Sequence, residues 1–155
     1  MRGSAAVSVL LAASLLAACE SSDLDLDGSS PAEGEDLVDR GIKPLSEAQV
    51  RVFLSDSTLS HAGEDRIWHV YLAEDGMLYG LSETVTGGEE RARGSWFVQP
   101  DGQICRQWDG DWSGGTQGCA QVYRFGSQYS FVPDGTPLEE AIRRTRTPGN
   151  SENVL

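Results

Sequence analysis

The chain has 155 residues, 24 of them acidic and 12 basic, for a formal net charge of −12. That length supplies one hydrophobic core rather than two, and a surface so acidic repels phosphate backbones and anionic headgroups, which excludes nucleic acid as an expected partner. With three cysteines, two histidines and no close cysteine pair, a zinc site is excluded as well, and no metal or other cofactor is expected.

Residues 1–18 open with a single positive charge, Arg2, followed by an uncharged apolar run from Ala5 to Ala18. A basic start, a short apolar stretch and small residues before a cut describe a secretory signal. The run is too short for a bilayer-crossing helix, which needs about 20 apolar residues. Leu16-Ala17-Ala18-Cys19 resembles the lipobox of bacterial lipoproteins. The resemblance implies that the signal is cut before Cys19, that Cys19 carries the lipid, and that the protein is held by it at the cell envelope. Glu20 rather than Asp follows the cysteine, which under enteric sorting implies the outer membrane, facing the periplasm. An ordinary secretory cut leaving a free thiol is the plainer alternative. Because Arg2 leaves with the signal, the mature chain is more acidic still.

Residues 19–44 are rich in Asp, Glu, Ser and Gly. Few of these side chains can repay an ordering entropy of about 1–2 kcal/mol per residue, so the segment reads as an acidic flexible tether. Asp23-x-Asp25-x-Asp27-Gly28 matches the opening of an EF-hand loop, but position twelve is Gly34 where a bidentate glutamate is needed, and neither flank is helical.

The folded domain is expected over residues 45–147, with 148–155 as a tail. Ser46 and Gln49 form a capping-box pair, Leu45 and Val50 a hydrophobic staple, and Val50, Phe53 and Leu54 one apolar stripe. A short N-terminal helix follows from this, ending at Asp56-Ser57. Then the period changes to two. Strands are expected at 66–72, 77–81, 94–99, 103–108, 119–125 and 128–132, with Asp75-Gly76 and Asp101-Gly102 at turns. Thr84 to Arg93 reads as a long polar loop. Thr136-Pro137-Leu138-Glu139 signals a second short helix running to about Arg144, with Arg143, Arg144 and Arg146 favourably near its C-terminus. The fold class is mainly β: a small antiparallel meander closing into a barrel or a strongly curved sheet, flanked by two short helices. Trp96, Phe97, Ile104, Val122, Phe125 and Phe131 are the expected core.

If Cys19 is lipidated, Cys105 and Cys119 remain as a pair in an oxidising compartment, where a disulfide is the default. Folding the chain about Trp112 sets them opposite each other on neighbouring strands, and a bridge over a loop of this size stabilises by about 3 kcal/mol in the chain-entropy model. Tyr71 to Gly76, Gly94 to Trp96, Asp101 to Cys105 and Val122 to Arg124 together resemble an uncharacterised family of small secreted bacterial β-domains. The resemblance implies a fold but no activity. A further likeness, to small disulfide-bearing inhibitors of the bacterial envelope, is architectural only.

Chemistry is sparse. His61, read as lying in a loop, and His69, read as a barrel-wall residue, are the only bases suited to neutral pH. A hydrolase using either one is an alternative, although no Gly-x-Ser-x-Gly elbow is present. The stretch from Asp109 to Gly115 is the candidate binding loop: Asp109 and Asp111 with an exposed Trp112, above stapled stems. Against this stands the reading that Trp112 folds back over the barrel mouth while the aspartates serve turn geometry. The expected function is a lipid-anchored, non-catalytic binding or inhibitor-type module whose partner is a basic envelope protein. A small-ligand-binding barrel is the main alternative.

Overall fold

The computed structural model describes residue 37, residues 39–112, residue 115 and residues 117–155. The signal segment, Cys19, the EF-hand-like motif, most of the tether, and Ser113 and Gly114 of the candidate loop lie outside the described residues.

Eight antiparallel strands run up and down in chain order: β1 (Ser57–Ala62), β2 (Arg66–Leu72), β3 (Met77–Thr84), β4 (Glu89–Val98), β5 (Ile104–Trp108), β6 (Gly118–Phe125), β7 (Gln128–Pro133) and β8 (Ile142–Pro148). β1 pairs with both β2 and β8, so the sheet closes and no edge is left to recruit another chain. Period-two alternation sends Leu59, Val70, Leu72, Leu78, Trp96 and Val122 into the core. The neighbours Phe97 and Phe125 take the opposite parity and stand on the outer face, 43% and 51% exposed. The expectation that both are core is therefore corrected: aromatic character alone does not reveal which side of the pleat a residue takes.

The helix α1 (Glu47–Leu54) precedes β1 and buries Val50 and Leu54. The Ser46 N–H donates to Gln49 Oε1 at 2.9 Å, as the capping-box pattern requires. Arg51 Nη2 donates to the Val98 carbonyl at 3.2 Å, and Leu45 N–H to the Val122 carbonyl at 2.7 Å. Gly102, at φ +88°, admits the Leu45 carbonyl where a side chain would stand, so the β4–β5 turn and the helix lead-in can meet only at glycine. Contacts also reach upstream of the expected domain start: Leu37 is buried and the Arg40 guanidinium lies 4.8 Å over the Phe125 ring.

Three further expectations are corrected. No C-terminal helix forms; a single 3-10 turn at Leu138–Glu140 leads into β8. Thr145 and Thr147 are β-branched, and the gap between β7 and β1 offers residues 142–148 ladder partners on both sides, which outweighs a cap and a helical proline. Thr84 to Arg93 is not a long loop, since β3 extends to Thr84 and β4 starts at Glu89, facing each other across a tight turn. Nor does order end at Thr147–Asn150. Val154 is buried, and Arg91 Nη1 donates to the carbonyls of Asn153 and Val154 at 3.1 and 3.0 Å, fastening this segment to β4.

β5 and β6 share only three facing pairs, Ile104–Ala120, Cys105–Cys119 and Arg106–Gly118, whereas β2 and β3 share seven. The expected disulfide joins Cys105 to Cys119, the middle pair of that short ladder.

Candidate functional site

The barrel interior is not filled throughout. A cavity of about 110 Å³ lies among residues of seven strands, all but β4, with Leu59, Val70, Leu72, Leu78 and Phe131 supplying much of its wall. It reaches the rim where β6 begins and β7 ends, at Gly118 and Pro133. Gly118 faces Arg106 across the β5–β6 ladder, and a Cβ placed there would come within 4.0 Å of Arg106 Nε. The glycine thus leaves open the space beside the guanidinium.

Two cations line this otherwise apolar space: Arg106 from β5 and Arg144 from β8. Both are partly buried. Burial lowers the pKa of Arg106, and burial together with the positive charge of Arg106 lowers that of Arg144 to about 10, so both stay charged at neutral pH. Among the described residues no carboxylate lines the cavity. Among the described residues neither guanidinium has a hydrogen-bond or ion-pair partner; the Phe131 ring, 5.7 Å from the Arg144 guanidinium carbon, is the contact Arg144 makes. The other inward arginine of β8 behaves differently. Arg146 Nε donates to the Phe53 carbonyl in the last turn of α1, where a cation suits the helix dipole. Trp108, two residues after Arg106 and also inward, keeps a buried Nε1 with no acceptor among the described residues. Among the described residues the inner face therefore carries hydrogen-bond donors and positive charge without matching protein acceptors, an arrangement that costs free energy unless an acceptor is supplied.

The residues singled out from the sequence fall elsewhere. His61 belongs to β1 rather than to a loop, stacked on Trp68 with ring centroids 5.7 Å apart and with Nδ1 3.2 Å from the Arg143 carbonyl. Burial, and then the charge of Arg144, lower its pKa, while the Arg143 carbonyl pulls the other way. His69 is on the barrel wall as expected. Its Nδ1 shares a 2.8 Å hydrogen bond with Ser60 Oγ, and its Nε2 lies 3.5 Å from Glu83 Oε2. That is the connectivity of a serine–histidine–acid relay, but it lies flat on a sheet. Ser60 has ladder partners on both sides, His69 and Thr145, so the adjacent backbone N–H groups are engaged in the ladders rather than gathered to hold an oxyanion.

Trp112 is turned inward. Its ring meets Trp108 edge-on at 4.2 Å between centroids, and both rings sit where a side chain at Gly80 would be. The exposed indole expected of the candidate loop is thus packing, because two large aromatic faces gain more from burial against each other than from water. Asp109 and Asp111 are exposed, and Asp109 lies 3.5 Å from Arg93 Nε.

Arg106 and Arg144 were missed for different reasons. Ile104-x-Arg106-x-Trp108 is a legible signal, a charge on the apolar face of a strand, which period-two reasoning could have found. Arg144 was hidden once its segment was read as helix. Among the described residues no three His, Cys, Asp or Glu side chains stand close enough to hold a metal ion, and no helix is long and apolar enough to cross a membrane. No family model matches the chain, and no curated protein or solved structure matches it either.

Proposed function

We propose that this protein is a non-catalytic binding module whose ligand site is the barrel interior, displayed at the bacterial cell envelope, in the outer membrane, on a lipid at Cys19. The observation that carries the binding reading is the cavity: a mostly apolar space of about 110 Å³ lined by two charged donors that have no acceptor among the described residues. Small-molecule sites have this makeup, mostly apolar walls with a few polar groups that fix orientation. The envelope placement rests on the lipobox-like Leu16-Ala17-Ala18-Cys19 and on the disulfide, which suits an oxidising compartment.

The small-ligand reading is preferred to capture of a basic envelope protein through the Asp109–Asp111 loop, because Trp112 is committed to the barrel. It is preferred to a hydrolase because the Ser60–His69–Glu83 cluster has no gathered oxyanion donors and lies on the outer wall. Amide NMR spectra recorded with small neutral and charged molecules test it. Shifts should concentrate at Leu72, Ile104, Ala120 and Phe131 and vanish in Gly118→Leu, which fills the cavity. Shifts confined to the outer wall, or unchanged in Gly118→Leu, would remove the barrel interior as the site. Mass spectrometry of the native protein checks the lipid, and an unmodified Cys19 would end the anchoring proposal.

A further inference from the structure

We propose that the cavity takes a small organic anion, a carboxylate on a short apolar body, clamped between the guanidinium groups of Arg106 and Arg144. This rests on the reading of the barrel as a ligand-binding module and names the ligand class.

Charge comes first. Among the described residues, two like charges share one cavity with no carboxylate lining it, and of the inward arginines on β8 only Arg146 has a hydrogen-bond acceptor. A bound anion removes the mutual repulsion and supplies acceptors, and guanidinium groups bind carboxylates through paired, charge-assisted hydrogen bonds. Shape and polarity then narrow the class. Leu59, Val70, Leu72, Leu78 and Ile142 line the rest of the space. Inorganic phosphate or sulfate would press oxygens against these side chains. A carboxylate places both oxygens at the arginines and its hydrocarbon against the leucines. Size sets the length. A cavity of about 150 Å³ admits benzene, so 110 Å³ holds about five non-hydrogen atoms, with the rim at Gly118 giving room for a little more. The net charge of −12 does not forbid an anion inside, because surface charges are screened over about 8 Å at physiological salt.

The probes are butanoate and its neutral counterpart butanol, titrated into the disulfide-intact protein and followed by amide NMR, with inorganic phosphate and dodecanoate as further arms. Butanoate is expected to bind at least about tenfold tighter than butanol, one charge-assisted contact's worth. Arg106→Met and Arg144→Met should each abolish that preference while raising Tm, since each removes one of two repelling charges. A gain in Tm with loss of the preference separates ligand recognition from a folding defect, and Arg144→Lys should keep part of the preference. Butanol binding as tightly as butanoate overturns the anion while leaving the barrel reading intact. Phosphate binding tighter than butanoate overturns the carboxylate. Dodecanoate gaining more than about a hundredfold over butanoate overturns the size limit, because that gain requires several more buried methylenes than the cavity holds. No shift at any cavity residue with any probe removes this inference and the barrel reading together.

Discussion

Two polar clusters lie on opposite faces of the same barrel wall, and they differ in whether their partners are present. On the outside, Ser60, His69 and Glu83 satisfy one another across β1, β2 and β3. On the inside, Arg106 and Arg144 face leucines and each other. The outer cluster has the residue types associated with catalysis, yet its geometry explains itself as cross-strand pairing. The inner one has the less suggestive residue types, yet nothing else in the described protein accounts for it. Unmet hydrogen-bonding capacity, rather than the identity of the side chains, separates a site from a wall.

The largest expected effect comes from removing the bridge that borders the inner cluster. Replacing both Cys105 and Cys119 by Ala should lower unfolding free energy by about 3 kcal/mol, measured by urea denaturation. The signals of Ser60 and His69, across the barrel, should barely move in the native spectrum. Next, Arg144→Met should raise stability by on the order of 1 kcal/mol, as replacing poorly compensated buried charge by apolar volume commonly does. A loss instead would mean that Arg144 has a structural acceptor and that the contrast between the two clusters is false. On the outer side, His69→Ala should cost about 1 kcal/mol for its hydrogen bond and leave butanoate affinity unchanged; a weakened affinity would show that the two faces are coupled.

The smallest effect is a pH dependence. His61 stands on the inner face near Arg144, and its pKa is lowered by burial and then by that charge. As pH falls through about 6.5, the unfolded chain takes up the proton before the folded one does. Stability from this group is therefore full above that pH and declines below it. His61→Gln should flatten the decline, and saturating butanoate should soften it by offsetting the positive charge.

The helix, six of the strands and the disulfide were legible because each obeys a local rule: the Ser46–Gln49 cap, the alternation of Val70 and Leu72, the Asp-Gly turns, the even cysteine count after Cys19 is set aside. The two strands that close the barrel were not. β1 carries Ser57, Thr58, Ser60 and His61, with Leu59 as its one large apolar side chain. β8 sends Ile142, Arg144 and Arg146 inward, so its inner face lacks an apolar stripe. Both are strands because their neighbours offer ladders, a tertiary effect that overrides local propensity. The candidate site follows the same logic. Arg144 broke the pattern by which its strand would have been recognised, and local rules fail most often where a residue is kept for function. Trp112 was legible as one of two alternatives, and the side-chain-free surface of Gly80 decides between them.

The short seam between β5 and β6 has a consequence for motion. Ile104, Arg106, Gly118, Cys119 and Ala120 all belong to those two staves and all border the cavity. With so few rungs, the covalent cross-link holds shut the wall that any occupant presses against. Once the sulfurs are reduced, backbone amides of Ile104 and Ala120 should exchange with deuterium sooner than those of Val70 and Gly80 on the longer β2–β3 ladder. An occupant would then escape sideways through a parted wall rather than past the rim.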